Sequence, residues 1–117
     1  MQRDVYHYFQ QACRRKLEPH FEPQAFVKDD DAIAGFAIRL SDHGAIEEVQ
    51  YRCTTCMTLI ALCEHAAEQI RGAKPDRARE LTASGILGSH PEIPVSRRSR
   101  AILATSAVQA ALDTLPI

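Results

Sequence analysis

The sequence has no surplus of either charge: 14 Lys and Arg stand against 15 Asp and Glu, for a formal net charge of -1. Without a basic excess there is no broad face for a phosphate backbone, so nucleic acid is excluded as an expected partner. Long hydrophobic runs are lacking too. Polar residues interrupt each apolar stretch within a few positions, so no membrane span is expected. The opening residues, Met-Gln-Arg-Asp-Val-Tyr-His-Tyr, have no apolar signal core, and the expected location is cytoplasmic. A Gly-rich phosphate loop and a Gly-x-Ser-x-Gly turn are both absent, which removes kinase and hydrolase chemistry; the expectation is a protein that is not an enzyme. No internal repeat or low-complexity tract divides the chain.

What is present suits a single domain over residues 1–117. With 45% hydrophobic and 25% charged residues, the chain can build a packed core. Val5, Tyr8, Phe9, Ala12 and Cys13 recur at helical spacing and predict a helix over 3–17; Pro19 and Pro23 then bracket a break. Three strand-like runs follow at 24–28, 32–40 and 46–51, the last two joined by Ser41-Asp42-His43-Gly44, which favours an antiparallel hairpin. From Cys56 the period changes. Leu59, Leu62, Cys63, Ala66, Ala67 and Ile70 form a helical stripe, Thr54 or Thr55 is placed to cap it, and Gly72 stands where a helix C-terminal glycine belongs. Pro75-Asp76 and Thr82 open one or two short helices within 75–88, Pro91 and Pro94 mark a loop, and a last helix is predicted over 99–115. The fold class is α+β: a small three-stranded antiparallel sheet packed against helices.

Three of the four cysteines fall in one stretch, Cys53-Thr-Thr-Cys56 followed by Cys63. Cys56 lies where the third strand passes into the long helix, and a thiol there meets the positive helix end and unpaired N–H groups, which favour thiolate. The Cys53-x-x-Cys56 spacing can clasp zinc or iron, or close a small disulfide. Cys63 lies about 10 Å further along the helix, too far to share one metal ion with Cys56. On their apolar stripes Cys63 and Cys13 read as core residues. His65 points off the stripe, and Arg97-Arg98-Ser99-Arg100 reads as a solvated helix start whose charge matters beside a thiolate.

From Val27 to Leu115 the chain resembles the U-type iron–sulfur cluster assembly scaffolds, the IscU, SufU and NifU N-terminal family. The likeness rests on Tyr51 to Cys56 running into Met57-Thr58-Leu59-Ile60-Ala61, a helix ending at Gly72, then Lys74, Ala78, Leu81-Thr82 and Pro94-Val95, and a terminal helix with Leu103-Ala104 and Ala107 to Leu112. The resemblance implies the same α+β fold and a [2Fe–2S] cluster held by three cysteines with an aspartate. Carried over residue by residue, Cys56 keeps the cysteine that opens the long helix. Asp30 takes the place of the first cysteine, Ala32 that of the aspartate, and Ser99 or Arg100 that of the third cysteine.

Two readings follow from this exchange. In one, Cys56, Cys53 and Asp30 form an altered site for a cluster, iron or zinc in a scaffold of iron–sulfur cluster assembly. In the other, no cofactor is bound and the fold survives as a docking or regulatory partner of a cysteine desulfurase or other assembly proteins. A small thiol redox protein using Cys53 and Cys56 is a third option; its expected βαβ setting is missing, since a hairpin comes first.

Overall fold

The computed structural model describes residues 3–15 and 22–115. Helix α1 (Val5–Cys13) is followed by strands β1 (Ala25–Asp29), β2 (Ala32–Leu40) and β3 (Ile46–Cys53), then by helices α2 (Met57–Ile70), α3 (Pro75–Ala78), α4 (Ala83–Gly88) and α5 (Ser99–Asp113), with a 3₁₀ turn at Val95–Arg97 before α5. The architecture is the expected α+β arrangement, an antiparallel sheet in the order β1-β2-β3 with helices packed on it.

The central strand decides the sheet. β2 pairs on both sides, Val27 with Ala34 and Ile38 with Val49, and its run Ala34 to Ile38 is buried on both faces. Such a strand reads as continuous apolar sequence, whereas β3 alternates imperfectly because the register shifts between Arg39 and Leu40, so that Glu47 is inserted against the partner strand. Gly35 is fixed by close approach: a Cβ there would lie 2.7 Å from both Ala25 O and Phe26 Cδ1. The β1–β2 turn is only Asp30-Asp31, and Asp30 takes the left-handed conformation with φ 54, which an aspartate tolerates better than most residues.

Gly72, with φ 87, ends α2 as the sequence predicts. It donates its N–H to Ile46 O at 2.7 Å, while Ile46 N–H donates to Ala73 O at 2.7 Å, so the helix end is stitched to the start of β3. Thr82 caps α4, its Oγ1 accepting from Gly85 N–H at 3.0 Å. Small residues on α5, among them Ala101, Ala104, Ala107 and Ala111, are fully covered and let the helix lie close to the sheet and to α2. Phe36, Leu59, Leu62, Ile70, Leu103 and Leu112 fill the core; burying each such side chain contributes roughly 1.5–3 kcal/mol.

Several expectations need correction. α1 stops at Cys13, and the predicted continuation to 16–17, like Pro19, lies outside the described residues. Cys13 is exposed rather than part of the core, because the stripe facing α2 runs through Val5 and Tyr8 instead. Neither Thr54 nor Thr55 caps α2: Cys56 is its N-cap residue, and Thr54 Oγ1 is occupied in accepting from Ile33 N–H at 2.9 Å. His65 is buried. With α1 on one side and β3 and α5 on others, α2 is enclosed well beyond a single stripe, and the whole stretch Ala61 to Ala67 is covered.

Candidate functional site

Chemistry-bearing side chains gather in two places, at the N-terminus of α2 and around its middle turns. The first is a corner formed by three chain segments. Thr54 N–H donates to Ile33 O at 3.0 Å, which carries the β2–β3 pairing one step past the strand and sets the Asp30-Asp31 turn beside the link to α2. Cys56, partly buried and in extended conformation, ends that link and makes no capping bond with its side chain. The start of α5 supplies Arg100, whose Nη2 lies 3.7 Å from Asp31 Oδ1. Only 15% of the Arg100 side chain is exposed against 90% for Asp31, and Arg100 Nε is buried without a hydrogen-bond partner. Asp30 is exposed at the turn, and Ser99 is exposed as the first residue of α5.

The second place is built around Cys63, Glu64 and His65. Cys63 is buried on α2 and Cys53 is half-buried at the end of β3, and the two thiols perturb one another. The neighbouring Cys63 draws the Cys53 thiol below its usual range, while Cys53 and full burial push Cys63 well above it. Cys53 opens on a cleft of about 350 Å3 lined also by Cys13, Arg15, Tyr51, Arg52 and Ile60.

Glu64 has no exposed side-chain surface. Its carboxylate accepts from Tyr51 Oη at 2.7 Å, from Gln11 Nε2 at 2.8 Å and from both Nε and Nη2 of Arg15, the former at 3.2 Å. Burial alone would raise its pKa, but the bonds from Arg15, Gln11 and Tyr51 outweigh that and hold it below the usual carboxylate range. Burial and the bond to Glu64 together drive the Tyr51 hydroxyl far up. One residue on, His65 Nδ1 lies 2.8 Å from His90 Nε2, and its ring stacks on Tyr8 with centroids 4.5 Å apart. Burial, then the neighbouring His90, lower His65 to about 4. The Tyr8 hydroxyl donates to Glu68 at 2.7 Å, and burial followed by that bond raises it to about 12.

Of the predicted site residues, Asp30 lies in the turn beside Asp31, whose carboxylate Arg100 approaches, Cys56 ends the link that follows Thr54, and Ser99 is exposed. Cys53 lines the cleft beside Tyr51 and Arg15. Among the described residues, no group of three His, Cys, Asp or Glu side chains is arranged to hold a metal ion. A [2Fe–2S] cluster takes four donors around its two irons. One thiol, an exposed turn aspartate and a guanidinium do not make that set. Glu64, the Cys53–Cys63 contact and the His65–His90 pair were missed by sequence reasoning. Their only advance signal was a charged residue and a histidine beside an apolar stripe.

A family model described as NifU-like N terminal domain matches residues 30–116, from the β1–β2 turn past the end of α5. No curated protein matches the chain.

Proposed function

Because the chain belongs to the NifU-like N terminal domain family, which gives it a scaffold-type role in iron–sulfur cluster assembly, we propose that it serves that machinery as a non-catalytic docking or regulatory member and carries no cluster of its own. The observation behind this reading is Arg100. Its guanidinium is largely buried at the corner, 3.7 Å from the turn carboxylate, where the family resemblance puts a cluster ligand. A fixed cation there repels iron and competes for the nearest oxygen donor. A cysteine desulfurase is the partner the reading favours, since family scaffolds meet one to receive sulfur.

The test has two arms. Anaerobic incubation of the reduced protein with ferrous iron and sulfide is expected to leave no visible cluster absorption and no retained iron. Pull-down with a cysteine desulfurase is expected to succeed in the presence of a chelator. A stable chromophore that disappears in Cys56→Ser would overturn the proposal and restore the altered-site reading with Cys56, Cys53 and Asp30. Desulfurase binding that is lost with chelator would do the same.

A further inference from the structure

The imidazole pair between α2 and the loop after α4 has a consequence that the docking role does not use. His90 Nδ1 lies 3.3 Å from Glu92 Oε2, which also accepts from Val5 N–H at 2.9 Å. An ionised carboxylate only accepts, so His90 carries its proton on Nδ1. With both rings neutral, the lone pair of His90 is then on Nε2, and His65 Nδ1, 2.8 Å away, is the donor to it. The chain from Glu92 through His90 to His65 therefore ends on a bare nitrogen, His65 Nε2. The His65 residue is only 6% exposed. Gln69 Nε2 approaches that nitrogen at 3.4 Å, longer than a well-formed hydrogen bond.

His65 and Gln69 also line a cleft of about 230 Å3 between α2 and the link from α3 to α4, so Nε2 is on the cleft side of the ring and Nδ1 on the His90 side. Glu80, Leu81, Thr82 and Ile86 form the opposite wall. Glu80 meets Arg77 Nε at 3.7 Å, with both side chains mostly exposed, so its charge is weakly held. Thr82 Oγ1 already accepts from Gly85 N–H. Among the described residues, no lysine or arginine lines the cleft. It offers a nitrogen that needs an N–H donor, a carboxylate that needs a positive charge, and two aliphatic side chains.

We propose that this cleft binds a primary alkylammonium group, with one N–H donating to His65 Nε2, the charge set against Glu80 and the carbon stem against Leu81 and Ile86. The two polar partners ask for different things. A quaternary ammonium satisfies the carboxylate and leaves the imidazole nitrogen unmet. The lowering of His65 to about 4 agrees with this role, since the nitrogen stays unprotonated near neutral pH, where an alkylamine is charged.

The full chain, labelled with 15N, is measured by long-range proton–nitrogen NMR near neutral pH. His65 should show a protonated Nδ1 and a bare Nε2, and n-butylammonium chloride should move the Nε2 signal along a saturable curve in the millimolar range. Butyltrimethylammonium should bind about fivefold more weakly or worse. Glu80→Gln, a change at an exposed side chain, should weaken butylammonium by about two- to fivefold. Nα-acetyl-lysine methylamide identifies the source: binding as tight as butylammonium or tighter assigns the site to a lysine side chain of a polypeptide, and weaker binding assigns it to a free amine. A proton found on Nε2, a signal unmoved by about 100 mM butylammonium, an equal response to the trimethylated cation, or undiminished binding in Glu80→Gln would each overturn the proposal. Cluster formation and desulfurase docking enter none of these readouts, so this proposal and the previous one fail separately.

Discussion

The two ends of the same chemistry lie on one helix. The Asp30-Asp31 turn is open to water, Cys56 at the N-terminus of α2 is half-buried and Arg100 is largely covered, with one weak ion pair from Arg100 to Asp31. Two turns on, Cys63, Glu64 and His65 are buried, and Glu64 and His65 are enclosed in dense hydrogen bonding to α1, β3 and His90. The corner lies wholly inside the family-matched residues 30–116, whereas Gln11, Arg15 and Tyr8, which complete the inner cluster, come from before that segment. The corner carries few fixed polar contacts, while the inner cluster fastens the N-terminal helix to α2 and β3. The outer group can change at little cost in stability. The inner one cannot.

The largest effect should come from Glu64→Ala. It leaves Tyr51, Gln11 and Arg15 without their shared acceptor in a covered site, and the expected loss is about 3–4 kcal/mol, measured by urea denaturation. A loss below about 1 kcal/mol would mean the inner cluster is no more structural than the corner. Acid should act on the same region in two windows. His65 sits at about 4 when folded against an ordinary 6.5, so the unfolded chain binds the proton first. Its contribution is complete above pH 6.5 and is lost as pH falls toward 4, about 2 kcal/mol after allowance for residual solvation. Glu64, held below its ordinary 4.5, keeps its contribution above that value and gives it up only as pH falls through its lower folded pKa. Thermal melts should thus begin to fall as pH drops through 6.5, above the window in which Glu64 gives up its contribution, and His65→Gln should flatten that upper window. Tyr51→Phe is a gentler cut: one donor to Glu64 is removed and the ring stays, for about 1–1.5 kcal/mol by the same denaturation assay.

The contrast also explains what could be read in advance. β2 was legible to the residue, because a strand buried on both faces writes itself as an unbroken apolar run, and Gly72 and Thr82 were legible because turn and cap chemistry is local. At the corner the likeness named Cys56 and Asp30 and left Ser99 and Arg100 open, and the fold adds an ion pair from Arg100 to Asp31. The inner cluster was not legible. Arg15 and Glu64 are 49 residues apart and Tyr8 and Glu68 60 apart, and helical periodicity reports one buried stripe, not a helix wrapped on several sides. Cys13 failed for the complementary reason: it continues the apolar period, but at that turn the chain presents Gln11 and Arg15, not Cys13, to α2.

The smallest effect tests the corner itself. Arg100→Ala deletes an ion pair whose carboxylate is 90% exposed and 3.7 Å away, a geometry worth less than about 1 kcal/mol. It also removes a buried Nε–H that finds no acceptor, and relief of that orphan donor offsets part of the loss. The stem of the side chain packs at the start of α5, so Arg100→Leu should retain more stability than Arg100→Ala, and both should remain within about 1 kcal/mol of the parent in urea. A drop of about 3 kcal/mol in either variant would make the corner as structural as the Glu64 cluster. The arginine would then be a fold-stabilising residue rather than a replacement for a ligand, and the distinction between a spent pocket and a recruited core would be lost.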